Sequence, residues 1–463
     1  MTSTTVGIAP YRTLNPATGD LVRSWPALDD ESAETLLSRS HQAYLAWRDV
    51  PVEERVRLFR RVAELITAHA DDLGRQTTLE MGKPLSQAVA EAHGAAEMYT
   101  YYAEHGPGLL ADEEVPVPGI SRAVVRREPV GVVLGIEPWN APLYQAMRAT
   151  APNLMLGNTV IVKPAAICAG STLLFDDIFR EAGFPEGVYQ TGLLSRDQVS
   201  SFVGDSRIRG VTLTGSDQAG SIVGEQAGRH IKPVVLELGG SDAFVVLDSA
   251  DVAKAAETAA TCRLIIGGQA CALPKRVIVT EKVADEFIAK FVAVFTDQRI
   301  GDPFDPDTTL GPMSSEAAAE LLQEQYQDAV DKGATVLAPG GLMDGPGAYF
   351  RPAVLTDVTP DMRLYHEEAF GPLGLVFRVL DADAAIALGN DTKYGLGGSV
   401  FAEDLQEAQR VATALDTGAV GVNQFLPARV ELPFGGTKFS GVGRELGRTG
   451  MDQFANLKSY ALP

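Results

Sequence analysis

Apolar and polar positions change rhythm once along this chain, near residue 130. Before that point the period is helical. In PVEERVRLFRRVAELI (51–66), Val56, Phe59, Ala63 and Ile66 share one face with Arg and Glu opposite, and Val52 and Leu58 fit that stripe less well. LSQAVAEAHGAAEMYTYYAEH (85–105) continues the style, and its helix is expected to stop at the Gly-Pro-Gly of 106–108. From 130 onward short β-branched runs alternate with helical stretches: VGVVLGI (130–136), TVIVK (159–163), GVTLTG (210–215), VVLEL (234–238) and AFVVL (243–247). Strands separated by helices predict an α/β fold with a parallel sheet wrapped by helices. A second α/β series follows, with KRVIVTEKV (275–283), a helix over 284–297 and the turn-rich GDPFDPDTTLGP (301–312). Between the two rhythms lie an acidic stretch, DEEVPVPGIS (112–121), and RAVVRREP (122–129), which reads as an exposed strand or arm able to pair with another subunit. The closing NLKSYALP reads as a second intersubunit strand. No internal repeat or low-complexity tail interrupts the pattern.

Composition narrows the class. At 463 residues the chain can bury a large core over more than one domain. Its net charge of −21 disfavours nucleic acid and anionic membranes as partners. Three cysteines in so long a chain make no disulfide framework, which points to a reducing, cytoplasmic setting. The start, MTSTTVGIAPYRTLNPATGD, lacks the basic-then-apolar pattern of a leader, and no apolar run reaches membrane-spanning length.

Several short motifs could carry chemistry. GIEPWNAP (135–142) follows a strand, so Asn140 stands where a side-chain amide can donate to a bound group, or where a turn asparagine is held by its own backbone. VIVKPAA (160–166) puts Lys163 at a strand end, where a lysine meets a ribose or phosphate or is simply solvated. VTLTGSDQAG (211–220) joins a strand to a helix through Gly215 and Ser216, offering backbone N–H groups to a pyrophosphate without the full dinucleotide pattern. In VLELGGSD (235–242), Glu237 ends a strand before two glycines, as a general base or as the partner of an arginine. IIGGQACALPKR (265–276) presents Cys271 on a glycine-rich approach with a proline after it, as a nucleophile or a buried thiol near a turn. Cys168 and Cys262 sit in apolar, helical surroundings and read as small core residues. The six histidines are scattered singly, with no zinc or Cys–His spacing, so no metal is expected. EEAFGP (367–372) and PFGGTKFSGVGREL (433–446) are Gly/Pro loops that line a site or a domain seam.

Taken in order, PWN, VKP, TGS, ELGG, GQAC, EEAFGP and PFGGTKFSGVGRE resemble the aldehyde dehydrogenase superfamily, from TLEMGKPLSQA (78–88) to NLKSY (456–460). Within it, PWNAPLYQAMR (138–148) and the Arg-Leu followed by GQ-x-C-A (263–272) look most like the bacterial succinate-semialdehyde dehydrogenase type. The resemblance implies a Rossmann-like coenzyme domain (1–110 and 130–238), an α/β catalytic domain (239–447), and a small oligomerisation arm with a C-terminal strand (111–129 and 448–463). It implies Cys271 as nucleophile, Asn140 and the Cys271 N–H as oxyanion donors, and Glu237 as the base that activates water. It assigns Lys163 to the adenosine ribose, Gly215 and Ser216 to the pyrophosphate, Glu368 to the nicotinamide ribose, and Trp139 and Phe370 to packing surfaces. It also implies a homodimer or homotetramer acting on a small-molecule aldehyde.

Three departures matter. Ala166 replaces the usual glutamate three residues after the lysine, which permits a 2′-phosphate and favours NADP over NAD. Ile266 stands where asparagine is frequent, and Leu273-Pro274 replaces smaller residues after the cysteine. For substrate, Arg148 and Arg429 are candidates to hold a semialdehyde carboxylate, with a structural salt bridge as the other reading of Arg148. The arginine that some relatives carry six residues before the cysteine is Ile265. A CoA-acylating enzyme and a catalytically weak member with a binding or structural role remain the alternatives; Glu237 argues against the first.

Overall fold

The computed structural model describes residues 11–463. Residues 1–10, where the leaderless start and the beginning of the coenzyme domain were read, lie outside the described residues.

The helical first section forms as its periodicity predicts, with two changes. Helix Val52–Ala68 buries Phe59, Ala63 and Ile66, but also Leu58, Val62 and Leu65, so its apolar stripe is wider than the one drawn around Val56. Leu58 belongs to the core. Arg55 is buried on the same face because its guanidinium donates to the carbonyls of Met155 (2.9 Å) and Leu156 (3.2 Å), the last turn of a neighbouring helix. Free carbonyls at a helix end want such a donor. The second change is that helix Leu85–Leu110 does not stop at Gly-Pro-Gly. A Cβ on Gly106 would lie 2.7 Å from Met155 Cγ, so the glycine serves close helix packing rather than termination. Pro107 lies inside this helix, which runs on to Leu110.

Two sheets then divide the chain. The first has six strands in the order Gly441–Val442, Val234–Glu237, Ile208–Thr214, Val132–Ile136, Thr159–Lys163 and Tyr189–Thr191. Neighbours among the last five are parallel. The second has seven, running Thr335–Ala338, Ala353–Thr356, Leu373–Val379, Pro274–Thr280, Asp242–Val246, Gly397–Phe401 and Ala419–Val422. Its neighbours are parallel except at the Thr335–Ala338 edge. Their strands are nearly continuous apolar runs because helices cover them; Pro274–Thr280 is buried at every position. The chain also returns: Gly441–Val442, placed by sequence with the catalytic segment 239–447, pairs antiparallel with Leu236 and Glu237 in the first sheet.

The arm is a third, three-stranded sheet in the order Ala455–Leu462, Arg122–Pro129, Glu113–Glu114. RAVVRREP is the strand expected, but its partner is this chain's own C-terminus, paired antiparallel from Ala455↔Pro129 to Leu462↔Arg122. Within the chain the two segments satisfy each other's backbone groups along that edge. Of residues 448–463, the strand takes only the end; Gly447–Asp452 is a short helix.

Candidate active site

Asn140 follows the strand Val132–Ile136 and Glu237 ends the strand Val234–Glu237, both in the first sheet; Cys271 precedes the strand Pro274–Thr280 of the second. Cys271 and Asn140 line one cavity of about 760 Å³. The two glycines before Asp242 have a steric reason. A Cβ on Gly240 would lie 2.6 Å from the Cys271 carbonyl oxygen, and one on Gly239 2.6 Å from Glu368 Oε2.

The loop that carries Cys271 is held by groups whose role the sequence did not reveal. Arg263, fully buried, donates to the carbonyls of Gly268 (3.0 Å), Ala369 (2.7 Å), Gly371 (2.7 Å) and Leu373 (2.9 Å). One guanidinium thus ties the Cys271 loop to EEAFGP. Lys275 is also buried; its Nζ donates to Ala270 O (2.8 Å) and Cys271 O (2.5 Å) and pairs with Glu368 Oε1 (2.5 Å). Glu368 Oε1 also accepts from the Gly240 N–H at 3.1 Å. Asn140 is fixed in the same way. Its Nδ2 donates to Gln269 O (3.0 Å), and its own carbonyl accepts from Lys83 Nζ (3.0 Å). Lys83 pairs with Glu91, whose Oε1 accepts from the Leu143 and Tyr144 N–H groups (2.8 and 2.9 Å) at the start of helix Pro142–Leu156. Lys83 and Lys275 stood inside quoted motifs without a role, because their function is to satisfy carbonyls that only the fold brings near.

Burial governs the electrostatics. It pushes the Cys271 thiol up to about 11, against the opposing pull of Arg148 and Lys275; Glu368 and Glu237 push the same way as burial. Glu237 is held well above the ordinary carboxylate range by burial and by Glu445, with Arg148 and Arg444 opposing, and neither of its oxygens has a hydrogen-bond partner. Glu137 is raised for the same two reasons, with Arg148 again opposing.

Arg148 is therefore the counter-ion of a buried acidic cluster. Its Nε lies 2.7 Å from Glu445 Oε2 and its Nη2 donates to Thr214 Oγ1 at 3.1 Å. It borders the cavity and is already paired, as the salt-bridge reading of this residue expects. Arg429 is exposed and lies outside the Cys271 cavity, on an adjoining groove of about 490 Å³ that shares Tyr144 and Ala428 with it.

The residues assigned to a coenzyme also have environments that fit one. Lys163 is largely buried, and its pKa is pulled down to about 8 by burial and then by Arg196, another cation. A buried ammonium whose charged neighbour is also positive suits an anionic ligand. Ser216 caps helix Asp217–Arg229, its Oγ accepting from the Ala219 N–H (3.2 Å), and the Gly215 N–H is spent on Glu237 O (2.9 Å). Trp139 and Phe370 meet edge to face at 5.6 Å. Ala166 begins the turn after Lys163 and packs with Tyr11 and Trp25. Among the described residues no cluster of three or more His, Cys, Asp or Glu could hold a metal, and no helix is long and apolar enough to cross a membrane.

Two largely parallel α/β sheets, with a cavity lined by a cysteine and an asparagine, fit the class of coenzyme-dependent oxidoreductases. The chain belongs to the aldehyde dehydrogenase family, whose model matches residues 4–460. It is 49% identical to the succinate-semialdehyde dehydrogenase (NADP+) of Deinococcus radiodurans over 97% of this chain and 94% of that one. It is 42% identical to succinate-semialdehyde dehydrogenase (NADP+) 1 of Mycobacterium tuberculosis, over 97% of this chain and 99% of that one. Among solved structures it is similar to the Streptococcus pyogenes succinic semialdehyde dehydrogenase in complex with NADP+, at TM-score 0.95 and 36% identity, covering 98% of this chain and 100% of that one.

Proposed function

We propose that this chain oxidises an aldehyde to its carboxylic acid through a covalent Cys271 intermediate, with NADP as the favoured coenzyme. The observation that carries this is the convergence of Cys271 and Asn140 on one cavity, with Glu237 close enough to act on the thiol's charge. Cys271 gives its Sγ proton to solvent and the thiolate adds to the carbonyl carbon, and the developing alkoxide takes hydrogen bonds from Asn140 Nδ2 and the Cys271 N–H. Asn140 Nδ2 carries two hydrogens and spends one on Gln269, which leaves the other for this purpose. NADP, when bound, supplies the hydride acceptor. Glu237 then takes a proton from the water that attacks the Cys271 thioester, releasing the acid and regenerating the thiol. Lys163 serves the adenosine side, Ser216 after Gly215 the pyrophosphate, Glu368 the nicotinamide ribose, and Trp139 with Phe370 the packing surfaces; the Gly215 N–H itself donates to Glu237 O. With Ala166 in place of a carboxylate, Lys163 and Arg196 can accept a 2′-phosphate without repulsion.

For substrate, the named relatives support a carboxylate-bearing semialdehyde such as succinate semialdehyde. Arg148, paired with Glu445, and Arg429 are the candidates for its carboxylate. Residues 11–110 and 130–238 would form the coenzyme unit and 239–447 the catalytic one. The arm, with Leu457, Val115, Val117 and Ile120 exposed, would join subunits into a dimer or a dimer of dimers. The free thiols of Cys168, Cys262 and Cys271 suit a reducing, cytoplasmic setting. The deciding assay supplies NADP and succinate semialdehyde without CoA: acid and NADPH form together, and turnover only with CoA, or none with any aldehyde, refutes the proposal.

A further inference from the structure

We infer that the buried ion pair of Lys83 and Glu91 is a positioning device for the oxidation: it keeps the Asn140 amide aimed at the place where the alkoxide forms beside Cys271. The inference rests on the oxidation proposed above and concerns how the donor is held, not which aldehyde enters.

Asn140 has little of its own to aim it. Its Nδ2 donates to Gln269 O (3.0 Å), and its Oδ1 has no hydrogen-bond partner although the residue is buried. The last torsion of an asparagine is soft, so an amide held at one atom takes its direction from the backbone that carries it. That backbone is held from another helix, since Asn140 O accepts from Lys83 Nζ at 3.0 Å. Lys83 pairs with Glu91, and both side chains are buried. A buried ion pair costs desolvation on both partners and is a weak source of stability, so its seat against Asn140 calls for a reason other than folding.

Glu91 acts a second time on the same loop. Helix Pro142–Leu156 begins just after Asn140 and has no side-chain cap of its own. Glu91 Oε1 accepts from the N–H groups of Leu143 (2.8 Å) and Tyr144 (2.9 Å), so a carboxylate from outside closes that helix start. One carboxylate thus fixes the chain after Asn140 directly and the Asn140 carbonyl through Lys83. One turn earlier on helix Leu85–Leu110, on the same face as Glu91, Gln87 Oε1 accepts from the Ile266 N–H (3.0 Å) in the loop before Cys271. A single helix face therefore grips the Asn140 loop of the first sheet and the Cys271 loop beside the second. That shared grip sets amide and sulfur in register, which neither sheet does for the other.

The test is a double-mutant cycle in the full-length enzyme. It reads kcat for NADPH formation from succinate semialdehyde, Kd for NADP, and the pH profile of Cys271 alkylation. Glu91→Gln keeps an acceptor for the helix N–H groups but leaves Lys83 without its counter-ion, and Lys83→Met removes the donor to Asn140 O. Each is expected to lower kcat about tenfold, with Kd for NADP and the alkylation profile as in the wild type. In an Asn140→Ala background neither is expected to lower kcat further, because the group they aim is gone. If the single variants do not fold, Lys83→Met combined with Glu91→Gln removes both charges and gives the same comparison. Losses that multiply with that of Asn140→Ala, a parallel loss of NADP affinity, or a wild-type kcat in these variants overturns this inference and leaves the proposed function standing. No NADPH from the wild type with any aldehyde overturns both.

Discussion

A thiol at about 11 is mostly un-ionised at neutral pH, and Cys271 has that environment because burial outweighs the two cations near it. The thiolate is the reactive form, so its fraction grows about tenfold per pH unit below the pKa. Alkylation of the coenzyme-free protein by iodoacetamide is therefore expected to accelerate with pH up to about 11, with no plateau near neutrality. A plateau there would show a thiol already ionised at rest. Lys275 is one of the cations that oppose this shift, and it also neutralises Glu368. In Lys275→Met the alkylation profile moves to higher pH and KM for NADP rises, because Glu368 and the Cys271 carbonyl both lose their shared donor. The double variant Lys275→Met with Glu368→Gln recovers thermal stability but not the KM, which separates a positioning role from folding. Asn140→Ala removes one donor to the developing alkoxide and should lower kcat by about 10²–10³, measured as steady-state NADPH formation. Unchanged turnover would remove Asn140 from the mechanism. The residues proposed to do chemistry were legible as motifs along the chain. Those that hold them were not, because Arg263, Lys275 and Lys83 act on backbone carbonyls far away in sequence or on the far side of a turn.

At the scale of elements, periodicity found the helices and strands but misjudged two details, both settled by neighbours. Leu58 looked peripheral to its stripe, yet the buried face of helix Val52–Ala68 is wider than that stripe and takes in Val62 and Leu65, so Leu58 is 1% exposed. Leu58→Ala should cost about 2–5 kcal/mol of stability by denaturant titration, whereas Val52→Ala, at a half-buried helix start, should cost far less. Equal costs would return Leu58 to the periphery. The Gly-Pro-Gly of 106–108 reads as a stop in any single sequence, and the helix nonetheless continues because Gly106 admits Met155. Strand positions were easier. TVIVK and RAVVRREP match their strands residue for residue, since β-branched runs bounded by turn residues specify extended backbone locally.

At the scale of the whole molecule, the two sheets are joined by the chain's return to the first one, and the arm forms a separate sheet. Arg122–Pro129 is sealed on one edge by Ala455–Leu462, whose outer edge is free among the described residues. Truncation after Phe454 should expose that strand, lower the melting temperature and shift the mass seen by light scattering at micromolar concentration toward the monomer. A full-length chain that is already monomeric under those conditions would remove the arm from assembly. The sequence by itself determined the α/β alternation, the nucleophile loop, the strand-end carboxylate and amide, and the absence of a carboxylate at Ala166, because each is a local pattern of residue type and spacing. Only the tertiary structure decided that Arg148 pairs with Glu445, that the C-terminal strand pairs with Arg122–Pro129 of its own chain, and that Cys271 and Asn140 line one cavity. Those outcomes depend on which groups share a small volume after desolvation, and that proximity is fixed by packing between segments hundreds of residues apart.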